Sequence, residues 1–457
     1  MEGCVITLGK YFGTDGVRGV ANVELDAMLA FKIGASAAHV LTQERNAGGK
    51  AKLLIGKDTR ISSDMLESAL VAGICSVGAD VELLGVIPTP AIAYLTIKHK
   101  ADAGIVISAS HNSFEYNGIK IFAGSGYKLS DELENRIEEF IDNFDSVPKA
   151  SHEHLGCVIH SSIDPVVEYT DHLAETVPGD LSGLRVAVDC ANGASSTTVT
   201  RLMRLLECRA DLRFYEPNGI NINANCGSTH LENLQERMRT GNYDIGIAFD
   251  GDADRCLVVD ERGEVLDGDR IMAVCAAHMK KLGKLRGNAF VATIMSNMGL
   301  HKYAKENGME IKCANVGDRY VLEMMLRDGY ILGGEQSGHV IFLEYASTGD
   351  GQLTAIQFMH ILKESGKKCS QIADEVVPWP QVQINVKVPN SDKHTIAERP
   401  EVAKSIEEGN AALGEGRILV RASGTEALVR VMVEGVDADK VQSVAEQVAD
   451  VIRSVVG

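Results

Sequence analysis

The sequence predicts an α/β protein in which three α/β units follow one another and a smaller α+β unit closes the chain. Three observations predict this. Short apolar, β-rich runs alternate with helical stretches over most of the length, the pattern of buried mixed or parallel sheets. The rhythm restarts after a polar, His-rich stretch at 146–160 and breaks at Pro378-Trp379-Pro380. At roughly 150 residues per domain, the 457 residues allow three or four domains.

In the first unit, 52–56 reads as a strand and 63–77 as a helix with apolar spacing at Met65, Leu66, Ala69, Leu70 and Ile74. A second strand at 81–84 precedes the turn Pro88-Thr89-Pro90, and 103–107, apolar throughout, reads as a central strand. The stretch 146–160 reads as a linker. Beyond it the second unit reads as helix 166–176, strand 184–188, helix 195–206 and strands 244–249 and 256–259. The third reads as helix 269–282, strand 289–294, helix 299–307, strand 330–332 and helix 351–363. The remainder has strands near 383–388, 417–421 and 429–434 and a closing helix from Ala438. The predicted domains are 1–157, 158–262, 263–376 and 377–457.

Asp and Glu number 63 against 45 Lys and Arg, a net charge of −18. That balance excludes a general binder of nucleic acid or of anionic membrane, so an anionic ligand must be met by local Arg, Lys and backbone N–H groups. The ten cysteines contain no CxxC pair and sit largely in apolar runs, which reads as small buried hydrophobes in a reducing compartment. The first residues lack a basic region followed by an apolar run, and no apolar stretch approaches the ~20 residues of a membrane span. A cytoplasmic protein is expected.

Four segments carry chemistry, each at a strand end, where open α/β sheets place ligands. The first, Ser108-Ala109-Ser110-His111-Asn112 with Asn117-Gly118-Ile119-Lys120, puts serines, an imidazole and an amine into one exposed loop. Serine can carry a phosphoryl group while His or Lys moves protons or balances charge. An ordinary Ser/Asn turn is the alternative. The second, Asp250-Gly251-Asp252-Ala253-Asp254-Arg255, alternates three carboxylates that repel one another and call for a hard divalent cation. An EF-hand would need glycine where Arg255 stands, and helices rather than strands on its flanks. A phosphoaspartate loop would not carry Asp254, and a solvated acidic turn is the bland alternative. The third, Gly333-Gly334-Glu335-Gln336-Ser337-Gly338-His339, offers a carboxylate, an amide, a hydroxyl and an imidazole, groups suited to sugar hydroxyls, or forms a plain turn. In the fourth, Arg421-Ala422-Ser423-Gly424-Thr425-Glu426 with Arg430, two Arg bracket a small hydroxyl-rich loop. That is the composition of a phosphate cradle, or of surface arginines at a strand end.

Together these segments resemble the α-D-phosphohexomutase superfamily. Tyr11-Phe12-Gly13-Thr14-Asp15-Gly16-Val17-Arg18-Gly19 is similar to that family's opening signature. Further matches are Gly56-Lys57-Asp58-Thr59-Arg60, Cys226-Gly227-Ser228-Thr229 and Val316-Gly317-Asp318-Arg319-Tyr320, so the resemblance spans nearly the whole chain. Gln336 points to the bacterial glucosamine branch rather than to the mannose and glucose enzymes. Ser113, Ala253 and Ala427 depart from it, standing where proline, glycine and proline are commoner.

The resemblance implies three similar mixed-sheet α/β domains and a smaller fourth around a central cleft. It implies that glucosamine 6-phosphate and glucosamine 1-phosphate are interconverted through a phosphoserine at Ser110 and a sugar 1,6-bisphosphate that also serves as activator. That reaction would feed UDP-N-acetylglucosamine and cell-wall precursor synthesis. One Mg2+ per site would be held by Asp250, Asp252 and Asp254 together with the Ser110 phosphate. Arg18, His111, Lys120 and Arg255 would surround the transferring group. Gly317, Asp318, Glu335, Ser337 and His339 would bind the sugar, and Arg421, Ser423, Gly424, Thr425 and Arg430 the phosphate that is not reacting. The partner is then a small sugar phosphate, with no nucleic acid and no membrane, and a homodimer is compatible.

Overall fold

The computed structural model describes residues 9–13, 15–43, 49–160, 164–423 and 427–456. They form two compact units. The larger holds the described residues up to Ile294 together with Ile311–Asp374; the smaller holds Met295–Glu310 and the described residues from Glu375 onward.

Three sheets build the larger unit. The first has seven strands in the order Phe12–Gly13, Gly16–Val20, Tyr116–Ala123, Ala103–Ile107, Lys52–Lys57, Asp80–Val86 and Val158–Ile159. Ala103–Ile107 is central and wholly buried, as its apolar run predicts. Lys52–Lys57 and its two neighbours run parallel, whereas Tyr116–Ala123 returns antiparallel. The end of the predicted linker is the edge strand Val158–Ile159, so the first sheet extends past the expected boundary after residue 157. Helices Ala27–Gln43 and Ser63–Ser76 pack closely because small residues face each other: a Cβ on Gly34 would lie 2.6 Å from the Leu70 carbonyl oxygen.

The second sheet orders Val265–Leu266, Cys256–Val259, Ile245–Phe249, Arg185–Asp189 and Arg209–Arg213. The helix predicted over 195–206 splits into a 3-10 turn, Ala194–Thr197, and a helix, Val199–Leu205. The hydroxyls of Ser196, Thr197 and Thr198 donate to carbonyls three residues back, competing with the helical bonds. In the third sheet Ala289–Thr293 pairs parallel with Leu332–Gly334, which pairs antiparallel with Val340–Phe342.

The smaller unit contains an antiparallel three-stranded sheet, Gln381–Lys387, Leu428–Gly435 and Gly416–Ala422, with Leu428–Gly435 in the middle. Val386, Val429, Val431 and Val433 meet Val441, Val448 and Ile452 of the closing helix Ala438–Val456 in one core. No helix among the described residues is long and apolar enough to cross a membrane, and no disulfide joins any of the described cysteines.

Candidate active site

The chemistry-bearing loops of the larger unit leave the C-terminal ends of Ala103–Ile107, Ile245–Phe249 and Leu332–Gly334. Ser110 stands at the left-handed φ of 52°, and its Oγ donates to Asp250 Oδ2 at 2.6 Å. It is buried, correcting the expectation of an exposed loop serine, because the aspartate loop closes over it. A Cβ at Gly251 would lie 2.5 Å from the Ser110 carbonyl oxygen, so glycine is what lets the two loops meet.

A buried frame holds the Ser110 loop. The Ser110 N–H donates to Ser108 Oγ at 2.9 Å, and Ser108 Oγ donates to Asp58 Oδ2 at 2.6 Å. Arg60 pairs with Asp58 at 2.8 Å and gives its other N–H groups to the carbonyls of Ser110, Asn112, Ser113 and Tyr116. Asn223 Nδ2 donates to the same Ser110 and Asn112 carbonyls, each at 2.9 Å. Sequence reasoning missed Asp58, Arg60 and Asn223 as functional. The Asp-Thr-Arg run was visible as a family match, whereas nothing around Asn223 signalled its part.

Lys120 lies on the strand Tyr116–Ala123 rather than in the serine loop. Its buried Nζ is 2.9 Å from Asp252 Oδ2, 3.1 Å from Asp15 Oδ2 and 3.6 Å from Asp254 Oδ2. Burial alone would lower its pKa, but those three carboxylates outweigh burial and hold the ammonium well above its usual range. Asp15 also meets Arg18, and Lys128 joins Asp15 at 2.7 Å to Asp318 at 2.6 Å. Lys128 and Asp15 are further residues of the site that the sequence reading gave no role.

One oxygen from each of Asp250, Asp252 and Asp254 lies within 4.8 Å of the other two, and all three residues are buried. Burial, with the Asp254 and Asp252 charges, pushes the Asp250 carboxyl well above the usual carboxylate range. Asp252 Oδ1 and Asp254 Oδ1 are buried without a hydrogen-bond partner among the described residues, Asp254 Oδ1 lying 3.9 Å from Arg255 Nε. Orphaned oxygens on converging hard carboxylates fit a hard cation such as Mg2+. Ala253 sits at φ 57°, the left-handed region that explains why glycine suits this position better.

His111 Nδ1 is 3.3 Å from Ser110 Oγ and 3.3 Å from Arg255 NH1. Burial and the Arg255 and Arg18 charges lower its pKa to about 4, so the ring is neutral. His339 is buried with Nδ1 3.6 Å from Asp254 and Nε2 3.6 Å from Asp318. Burial opposes its charge, yet Asp254 and Asp318 push its pKa up to about 8. The Gly349 N–H, 3.1 Å from Nε2, favours the singly protonated ring instead and sets the remaining proton on Nδ1, facing Asp254. Glu335 Oε1 accepts from the Gly317 N–H at 3.0 Å, while Gln336 is tied to Asp267 at 3.1 Å. Ser337 Oγ, Arg18 Nε and Arg255 Nε are buried with no hydrogen-bond partner among the described residues, and Arg255 Nε lies 3.9 Å from Asp254 Oδ1.

In the smaller unit Arg421 and Arg430 stand directly opposite each other on adjacent strands. Like charges in that register destabilise a sheet unless an anion lies between them. Ser423 follows, buried, with Lys393 Nζ donating to its carbonyl at 2.9 Å. Gly424 and Thr425, also expected in the cradle, lie outside the described residues.

Four family models match in chain order: the phosphoglucomutase/phosphomannomutase alpha/beta/alpha domains I at 9–147, II at 167–263 and III at 267–378, and the C-terminal domain at 384–451. The phosphoglucosamine mutase of Clostridium novyi is 53% identical over 451 residues, spanning 98% of this chain and 99% of that protein. The chain belongs to the phosphoglucosamine mutase family. The Acetivibrio thermocellus phosphoglucosamine mutase is 51% identical over 98% of this chain and all 100% of its own length. Among solved structures, a Burkholderia thailandensis phosphoglucomutase/phosphomannomutase family protein superposes with a TM-score of 0.80 at 21% identity, covering 98% of both chains. The Aspergillus fumigatus N-acetylphosphoglucosamine mutase, in complex with GlcNAc-6P and magnesium, gives a TM-score of 0.70 at 18% identity, covering 98% of this chain and 96% of that one. These two likenesses carry the fold, and the mixed-sheet α/β domains and smaller C-terminal domain expected from the sequence are the ones observed.

Proposed function

We propose that this chain is a cytoplasmic phosphoglucosamine mutase that interconverts glucosamine 6-phosphate and glucosamine 1-phosphate, with Ser110 as its phosphoserine. The observation that carries this reading is Ser110 Oγ lying 2.6 Å from Asp250 at the edge of a buried carboxylate triplet with two orphaned oxygens. Asp250, Asp252 and Asp254 would hold Mg2+ together with the serine phosphate. When bound, the metal withdraws charge from the phosphoryl group.

In the forward direction the bond from phosphorus to Ser110 Oγ breaks as a bond to the sugar O1 forms. Phosphoryl transfer of this kind depends mainly on positioning and charge neutralisation. The O1 proton passes by way of His111, whose ring nitrogen lies 3.3 Å from Ser110 Oγ, to that departing serine oxygen. Lys120 is enclosed by three carboxylates and acts as a fixed positive charge, not as a base. Arg18 and Arg255 face the same space and stabilise the equatorial oxygens. The 1,6-bisphosphate then turns over, and its 6-phosphoryl group returns to Ser110. Gly317, Asp318, Glu335, Ser337 and His339 orient the sugar hydroxyls. Arg421, Ser423, Gly424, Thr425 and Arg430 hold whichever phosphate is idle, and four domains in succession along the chain supply these four loops in turn.

The test is a comparison of purified protein on glucosamine, glucose and mannose 6-phosphates, with intact mass read before and after substrate. One phosphoryl group on the isolated chain and the highest kcat/KM for glucosamine 6-phosphate are expected. A higher kcat/KM for the glucose or mannose compound would make it a phosphoglucomutase/phosphomannomutase instead.

A further inference from the structure

We propose a second metal site, separate from the aspartate triplet, in which His278, His360 and Glu364 bind a transition-metal cation of the zinc class. Two packed helices build it. His278 lies in the last turn of Gly268–Lys281, and His360 and Glu364 lie one turn apart on Gly351–Ser365. The four-residue spacing puts that imidazole and carboxylate on one helix face. The site stands well away from the sugar loop. Gly268, which donates its N–H to the Gln336 carbonyl, is ten residues before His278, about 15 Å along the helix axis.

The donors converge on a single point. His360 Nε2 is 3.6 Å and His278 Nε2 is 3.8 Å from the same oxygen, Glu364 Oε2. One donor atom from each residue lies within 4.8 Å of the other two. A tetrahedral ion with bonds of about 2.0–2.2 Å separates its ligands by roughly 3.4 Å, so two of the three edges already come close to the bound geometry. Lys281 contacts the other oxygen, Glu364 Oε1, at 3.4 Å, which leaves Oε2 to the imidazoles and steadies the carboxylate. The two rings stand edge to face, centroids 5.9 Å apart, and are 13% and 18% exposed, so water can reach a fourth coordination position.

Ligand type sets the choice of metal. Two imidazoles and one carboxylate suit Zn2+ and its borderline neighbours, whereas the all-oxygen aspartate triplet suits Mg2+. A metal takes imidazole in its neutral form, so occupancy would replace the contacts of both rings to Glu364 with shared ligation of one ion. Occupancy would clamp the two helices together.

The experiment uses the full chain, stripped of metal and then saturated with Mg2+ so that the aspartate triplet is filled. Zn2+ is titrated calorimetrically, and Co2+ is used to report coordination by its visible absorption. The expected result is saturable Zn2+ binding that raises Tm and persists in Asp252→Asn. Affinity should fall at least about tenfold in His360→Gln and in the more exposed Glu364→Gln, since loss even of an outer-shell partner typically costs 10- to 100-fold. Mutase activity of both variants in Mg2+ should be unchanged. Failure of the wild type to bind Zn2+, or equal affinity in the wild type and both variants, overturns the proposal.

Discussion

Lys120 Nζ lies 2.9 Å from Asp252 Oδ2, and both side chains are almost completely buried. The ammonium is the internal counter-charge of the aspartate cluster, shared with Asp15 and Asp254. Lys120→Met keeps the length and removes the charge. Stranding buried carboxylates costs about 3–5 kcal/mol, so Tm should fall steeply in EDTA. Saturating Mg2+ should recover part of the loss by supplying positive charge at the same oxygens, while turnover stays down by orders of magnitude. Calorimetry with and without Mg2+ checks this; a Tm deficit indifferent to Mg2+ would separate Lys120 from the metal site.

Ser110→Ala should abolish turnover and phosphoryl incorporation. The substitution removes one hydrogen bond to Asp250, so the stability change should stay within about 1.5 kcal/mol. Ser108 is committed to Asp58 and should not take over. Peptide mapping after incubation with the bisphosphate reads this directly, and a phosphorylated peptide with Ser108 as the acceptor would count against it.

Arg421→Ala and Arg430→Ala should each cut kcat/KM by roughly tenfold to a hundredfold, the worth of a charge-assisted bond to phosphate. The losses should match for the 6-phosphate and the 1-phosphate, because one cradle must serve both. Impairment towards only one monophosphate would place a second phosphate site elsewhere.

Tyr169→Phe tests a buried carboxyl by pH. Asp350, which caps the helix Gly351–Ser365, accepts from Tyr169 Oη at 2.8 Å, and burial pushes its pKa up to about 6. A carboxyl raised in the folded state binds its proton more tightly there than when unfolded. Its contribution is therefore favourable at low pH and is lost as pH rises from about 4 through about 6. Removing the hydroxyl raises that pKa further and strips a bond from the ionised form. The variant should be destabilised by about 1.5–3 kcal/mol at pH 7.5 and by distinctly less at pH 5, as read by urea titration. An equal deficit at both values would contradict ionised Asp350 as the Tyr169 acceptor.

What could be read along the chain depended on how locally each feature is specified. The strand Ala103–Ile107 is apolar at every position, short and rich in β-branched residues, which favours a buried strand over a helix segment. Asp250, Asp252 and Asp254 repel one another whatever the fold around them, so the need for a compensating cation was legible in their spacing alone. The edge strand Val158–Ile159 was not legible locally, because it forms only by pairing with Asp80–Val86, a partner distant in sequence. The helix at 195–206 was overrun because periodicity says nothing about hydroxyls that bond back to carbonyls.

The α/β order, the four loops and the chemistry each can offer follow from residue type and short-range spacing, and so could be read along the chain. Folding alone buries Ser110 beneath the aspartate loop, brings Lys120 in from a strand rather than a loop, and sets Arg60 and Asn223 to hold the serine loop from two different elements. It alone also brought His278 across to His360 and Glu364. The physical reason is common to all of these. Charge compensation and hydrogen-bond satisfaction act over a few ångströms of space, and residues that close can be more than a hundred positions apart along the chain.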